Sequence, residues 1–252
     1  MIRRWPGFVL IAVLLVAWEY ASAMRLIDPV SMPRVSLIAA AWLKTLNGGP
    51  LLQAVLPTLG RIFAGFALAA VIAVPLGLLM GSIPLVYRLL EPATELIRPI
   101  PSSAYIPVAI LFLGIDNEMK VFVIVIACLF PILLNTYGGV RGIDPVLIDT
   151  GRTFGLSRAK ALWQIVLPAA LPNVLTGMRI SLGIALIVAV VAEMITGNSG
   201  IGFFILDMQR VFRVPEMFAG IFTLGVLGFA INFIFLKIEG RLLHWRGTPA
   251  ET

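Results

Sequence analysis

In the stretch DTGRTFGLSRAKALWQIVLP, residues 149–168, the cations Arg152, Arg158 and Lys160 fall close together between two apolar blocks. Charges grouped in this way suit recognition rather than bond breaking. The small residues Thr150 and Gly151, flanked by Asp149 and Arg152, would let a partner's backbone approach while the charges fix its orientation. The same basic residues on an amphipathic helix would equally rest on anionic lipid at the inner leaflet. The residues alone leave both readings open.

Other chemistry is poorly supplied. Cys128 is the only cysteine and His244 the only histidine, too few for an intrachain disulfide or for a zinc or haem site built from the usual ligands. Hydrolysis inside a membrane needs clustered acids, histidines or an activated nucleophile, and the acids here are scattered, mostly at loop positions. A phosphate-cradling GxxxxGK[ST] loop is missing too, because none of Lys44, Lys120, Lys160 and Lys237 follows a glycine. The expectation is a non-catalytic chain with no metal and no cofactor of its own.

The elements that must carry these residues are membrane helices. The chain has 252 residues, 60% of them hydrophobic and 13% charged, with a mean hydropathy of +1.00, values at which a soluble domain would struggle to stay in solution. Apolar runs near the ~20 residues that cross a bilayer as helix recur at about 8–24, 62–81, 99–114, 119–138, 174–196 and 216–236. The third is short and opens with Pro99 and Pro101. Long runs, in place of ten-residue alternating segments, argue for a helical bundle and against an outer-membrane barrel. The fold class is all-α: a polytopic membrane helical bundle of about six transmembrane helices. No spacer, low-complexity tract or internal repeat divides it, so residues 1–252 read as a single transmembrane domain.

At the start, Arg3 and Arg4, an apolar run and Ala21-Ser22-Ala23 fit a cleavable signal peptide. Trp5 on one side of that run, with Trp18 and Tyr20 on the other, fits an aromatic belt around a retained helix. With six spans and an inside N-terminus, the majority of the 19 Lys and Arg residues fall on the inside, which predicts that both termini are cytoplasmic. The formal net charge of +6 then reflects topology and calls for no nucleic acid.

The second and third spans are rich in breakers: Pro57, Pro75, Pro84, Pro92, Pro99, Pro101 and Pro107. Proline frees backbone groups that neighbouring helices or a wet cavity must satisfy, so this region is a candidate pathway lining, with Ser102, Ser103 and Tyr105 in it. Gly77 and Gly81 form a small-xxx-small pair, read as close packing within the subunit. Residues 36–46, after Pro33, have helical spacing and predict a short surface helix in the first outer loop. Asn135 and Asn232 read as interhelical hydrogen bonds. Glu193, near the outer end of the fifth span, is an intramembrane acid and a functional candidate by default, read as a polar anchor or a gate.

The loop at about 139–173 is expected to be ordered. Asp144-Pro145 is an N-cap followed by proline at the first helical position, with Val146, Leu147 and Phe154 behind it. Gly155 offers the left-handed position that ends a helix. Ser157 can cap a second helix through Ala161, Leu162, Ile165 and Val166, which Pro168 and Pro172 are expected to interrupt. The prediction is helix, glycine turn, helix.

This loop resembles the signature of bacterial ABC-importer permeases: Glu-Ala-Ala, three residues, Gly, nine residues, Ile, one residue, Leu-Pro. Asp149-Thr150-Gly151 takes the triplet, Gly155 follows at the right interval, and Ile165 and Leu167-Pro168 complete the spacing. The triplet departs from the pattern, Asp for Glu and Thr-Gly for the two alanines, but keeps an acid followed by small residues. LPNVLTGMRISLG, residues 171–183, and VAEMITGNSGIGFFI, residues 191–205, are similar to the same superfamily, and Ala192-Glu193 matches its pattern. LIRPIPSSAYIPVAILFLGI, residues 96–115, and LFPILLNT, residues 129–136, are similar to permeases of the nitrate, sulfonate and taurine group.

The resemblance implies a type I importer permease in the bacterial inner membrane. Two permease subunits, here a homodimer, form the pathway; separate cytoplasmic ATPases bind ATP and Mg; an external or periplasmic binding protein delivers a small solute. Asp149, Thr150, Gly151, Arg152, Phe154, Gly155, Ile165, Leu167 and Pro168 would form the ATPase-docking coupling loop. Arg179 would be a topological anchor or part of that surface. Ser102, Ser103, Tyr105, Asn135 and Glu193 remain candidates for the pathway or gate. The alternative is an ion-coupled secondary transporter or channel without an ATPase, which broken helices would also suit but which has no reason to carry this loop spacing.

Overall fold

A computed structural model describes residues 5–244; Arg3, Arg4 and Arg246, on which part of the orientation argument rests, lie outside the described residues. The elements are helices α1 (Trp5–Ala23), α2 (Val35–Leu46), α3 (Pro50–Ser82), α4 (Pro84–Ile97), α5 (Ile106–Leu113), α6 (Asn117–Arg141), α7 (Pro145–Thr153), α8 (Arg158–Ala161), α9 (Leu167–Thr196), α10 (Ile201–Arg210) and α11 (Val214–Leu242). A 3-10 turn, Ser102–Tyr105, precedes α5, and a π-helical turn, Leu162–Val166, joins α8 to α9. Among the described residues, four helices are long and apolar enough to cross a membrane: α3, α6, the run Arg158–Thr196 and α11. A fifth span arises if α4 and the helical stretch Ser102–Leu113, bent by 86°, count as one. Helix α1 has 19 residues, ~28 Å at 1.5 Å per residue, and its apolar stretch Val9–Ala23 is shorter than these, so the described residues hold four or five such spans where six were expected.

The contacts group the chain into two compact units. The larger comprises Leu59–Ala192 and the chain from Gly228 onward. Its core is the α3–α6–α9 packing, where Ile62, Ala69, Ala73, Val123, Ile124, Cys128, Ile132, Ala185 and Ala189 are buried. Gly65, Gly77 and Gly81 of α3 lie against Ile124, Thr136 and Val140 of α6 in turn, so these helices run in the same direction at close range, and the small-residue pair serves packing within the subunit. On its other side α6 meets α9 in the opposite sense: Gly139 faces Asn173, Gly177 faces Asn135 and the Pro131 carbonyl, and the Ser181 hydroxyl donates to the Cys128 carbonyl at 2.9 Å.

That parallel pairing decides the third span. A chain that leaves α3 at one membrane face and begins α6 at the other must cross back between them. Residues 84–113 therefore make the return as a broken span, not a re-entrant loop. The third span is not a straight helix over 99–114; it is the α4–α5 pair, hinged at Arg98, Pro99, Ile100 and Pro101. The second span is longer than the apolar run 62–81, because α3 runs unbroken from Pro50 through Pro57 and Pro75.

The expected interruption at Pro168 and Pro172 does not occur. Arg158–Thr196 is one 39-residue helical run. The wider π turn directly before α9 accommodates the missing N–H and the ring of Pro168 at the second position of α9, and Pro172 lies inside α9 without ending it.

The smaller unit comprises the chain up to Thr58 and Glu193–Leu227. The short helix expected over 36–46 is α2. Its start is tied to α1 by Glu19, which accepts from the Ser36 N–H and hydroxyl at 3.1 and 2.8 Å. Leu51, Ala54, Ile201, Phe204, Ile205 and Met208 form its core. Trp42 donates to the Thr223 hydroxyl at 2.9 Å and meets Phe222 edge-on. Of the aromatic belt residues, Trp18 packs edge-to-face on Phe218, while Tyr20 is exposed.

Candidate functional site

The loop between α6 and α9 folds by local rules. The Asp144 carboxylate accepts from the Val146 N–H at 2.9 Å and caps α7, with Pro145 in the first turn where no N–H is needed. At the other end the Leu156 N–H reaches the Gly151 carbonyl at 3.1 Å and the Gly155 N–H reaches the Arg152 carbonyl at 2.9 Å. Gly155 has φ +69°. Those two bonds and that left-handed residue make a Schellman cap. The Ser157 hydroxyl then accepts from the Lys160 N–H at 3.4 Å and starts α8. Helix, glycine turn and helix follow as the caps dictate.

Within the loop the candidate residues divide into two sets. Gly151 is buried, with the terminal carbon of Ile165 placed where its Cβ would be and Leu156 Cδ1 beside it. Leu167 packs on Leu78, Val140, Val166 and Ala170, and Pro168 continues the same run into α9. These positions hold the turn against the bundle, so the small residue at 151 admits its own chain's Ile165 rather than a partner's backbone. Asp149, Thr150, Arg152, Phe154 and Gly155 face outward. Asp149 and Arg152 pair at 2.9 Å with both side chains largely exposed, which contributes little stability. The Thr150 hydroxyl bonds the Val146 carbonyl at 2.7 Å, within its own helix.

What distinguishes the outward face is apolar. Phe154 is 80% exposed, and Val146 and Leu147 are exposed beside the same short helix. Sequence reasoning counted those two only as helix residues, since nine residues of α7 carry too short a pattern to show which side is covered. Trp163 in the π turn is exposed as well.

The pathway candidates do not assemble. Ser102 lines an open cavity of about 560 Å³ together with Arg98, Phe130, Pro131, Leu134 and Ile184. Ser103, Tyr105 and Asn135 are not among its lining residues, and the Asn135 amide donates to the Pro131 carbonyl of its own helix at 2.8 Å, not across helices. Asn232 lines a smaller cavity of about 190 Å³ with Arg179, whose guanidinium lies 3.7 Å from Glu239.

Glu193 is fully buried and belongs to the smaller unit. Its carboxylate accepts from the Thr58 hydroxyl at 2.9 Å and from the Gly202 N–H at 3.0 Å, while the Thr58 oxygen accepts from the Ile201 N–H at 2.9 Å. Gly200, the N-cap of α10, has no side chain with which to do this. Glu193 and Thr58 therefore satisfy the first N–H groups of α10, where a negative charge is favoured. Of the two sequence readings this geometry fits the anchor. Among the described residues no group of three or more His, Cys, Asp or Glu side chains could hold a metal.

Comparison with known proteins agrees with this architecture. The family of binding-protein-dependent transport system inner membrane components matches residues 73–244. The taurine transport system permease protein TauC of Escherichia coli is 31% identical over 256 aligned residues, covering 97% of this chain and 93% of that protein. The nitrate import permease protein NrtB of Synechocystis is 33% identical, covering 96% and 89%. In an inward-facing conformation of the MetNI methionine ABC transporter, one chain aligns with a TM-score of 0.68 at 20% identity, covering 76% of this chain and 95% of that one; this last likeness is one of fold.

Proposed function

The chain belongs to the family of binding-protein-dependent transport system inner membrane components, and from that premise we propose that it forms the solute pathway of an ATP-driven importer through which a small oxyanion such as a sulfonate or nitrate passes. It is a multi-pass inner-membrane, non-catalytic subunit. ATP with its Mg is bound and hydrolysed on separate cytoplasmic ATPase chains, and an external binding protein delivers the solute. The named activities of the taurine and nitrate relatives support the oxyanion class. Two copies of the chain surround the path as a homodimer, with both termini cytoplasmic and lipid around the outward faces.

One observation carries the coupling role: a rigid, doubly capped helix and turn that presents an exposed Phe154, with Val146 and Leu147, away from its own bundle. Rigidity matters because the loop must transmit force. Gly151 against Ile165 fastens α7 to the run that becomes α9, so a displacement of the docked ATPase moves α9 as a rigid body. A loop that merely rested on lipid would have no need of that internal lock. Co-expression with the partner ATPase tests the reading. The wild-type pair is expected to copurify and to take up solute only with ATP; uptake that persists when the ATPase is deleted would instead mean an ion-coupled transporter or channel.

A further inference from the structure

Resting on the importer reading, we infer that Arg98 is the anion-recognising residue of the path, and that its ligand is a small organic anion with a short apolar body. Residues 98–101 separate α4 from the 3-10 turn before α5 and are not helical. They lie half-way along the broken span. The cavity they line is closed on its other side by Phe130, Pro131 and Leu134, which sit in the middle of the spanning helix α6. Irregular backbone at that depth is stable only inside protein or against a wet cavity, and a cation there is costly unless it serves an ion or solute. Arg98 and Ser102 supply the polar wall; Phe130, Leu134 and Ile184 supply the apolar one.

The resting partner of Arg98 suggests how the site works. Glu95 lies 3.1 Å from one guanidinium nitrogen, one turn back on α4, with both side chains about half exposed. A guanidinium offers five donors, enough to hold a sulfonate or carboxylate through two of them. Glu95 uses one. It stands in for the solute's anionic head and is displaced when the solute enters. The volume, about 560 Å³, takes a small solute together with water. Discrimination then lies in charge sign at Arg98 and in the apolar wall for the body, while an anion with no body gains only the first.

The test uses the full-length permease in lipid nanodiscs, labelled with the arginine reagent phenylglyoxal and read by mass spectrometry at each arginine. Propane-1-sulfonate is the probe, propylammonium carries the same body with opposite charge, and Arg88 on α4 is the internal control. Propane-1-sulfonate is expected to slow labelling of Arg98 several-fold without affecting Arg88, and propylammonium to leave both unchanged. Glu95→Gln removes the competitor and should lower the half-protecting concentration by up to about five-fold, the worth of a half-exposed ion pair. Equal labelling with and without sulfonate, equal protection by propylammonium, or an Arg98 that phenylglyoxal never reaches would each overturn the inference. ATPase retention by the same preparation keeps the two readings apart: absent protection with the ATPase retained sinks only the anion site, whereas failure to retain the ATPase sinks the importer.

Discussion

The terminal carbon of Ile165 occupies the space in which a side chain at Gly151 would begin. The neighbour is the flexible end of a side chain, so Gly151→Ala should be tolerated with a small Ile165 adjustment. Gly151→Leu cannot be, and should cost about 1–3 kcal/mol through overpacking. Ile165→Ala in the same chain should recover part of that loss. Thermal unfolding of the purified permease checks the series; a Gly151→Leu variant as stable as wild type would mean the turn is not locked.

Phe154 tests the proposed docking surface without disturbing the fold, since it is 80% exposed and its backbone caps α7 whatever the side chain. Exposed aromatics at the centre of an interface commonly contribute about 2 kcal/mol or more. Phe154→Ala is therefore expected to weaken ATPase retention by about 30-fold with no change in permease melting temperature. Undiminished retention would move the docking surface elsewhere.

The helix, glycine turn and helix between α6 and α9 were legible in the sequence because their determinants are local: Asp144, Pro145, Gly155 and Ser157 act on backbone within a few residues of themselves. The outward turn of Val146 and Leu147 was not, because solvent and core sides of so short a helix are set by α9. The prolines at 99 and 101 announced a break in the third span, yet the 86° bend and the cavity at Arg98 depend on where α6 lies. Pro168 misled for a related reason. A proline stops a helix only when the turn before it cannot widen, and residues 162–166 widen into a π turn.

In the smaller unit, Trp42 and Thr223 are far apart in sequence and joined by one bond of 2.9 Å, and the Thr223 hydroxyl donates onward to the Ala219 carbonyl at 2.8 Å. Trp42→Phe and Thr223→Val should each destabilise by about 1 kcal/mol, and the pair by less than the sum. A double-mutant cycle on unfolding temperature reads the coupling; strict additivity would mean the bond contributes nothing.

Glu193 carries the last prediction, because an acid inside a membrane invites a transport role that its geometry does not support. Both Thr58 and the start of α10 depend on it. Glu193→Ala leaves the Gly202 N–H without this acceptor, at about 1–3 kcal/mol for a buried group left unsatisfied, while the Thr58 hydroxyl keeps the Ala54 carbonyl, 3.1 Å away, as its acceptor. Glu193→Gln keeps an acceptor oxygen and should lose less. Gly200→Ala should damage the same place, since φ is +102° and a Cβ there would run into the Glu193 carboxylate. Hydrogen exchange at residues 201–205 is the discriminating measurement. Faster exchange in Glu193→Ala and Gly200→Ala, in parallel with lowered unfolding temperature, is what a helix cap requires. Native exchange in Glu193→Ala combined with lost uptake would show that the carboxylate acts on the solute after all.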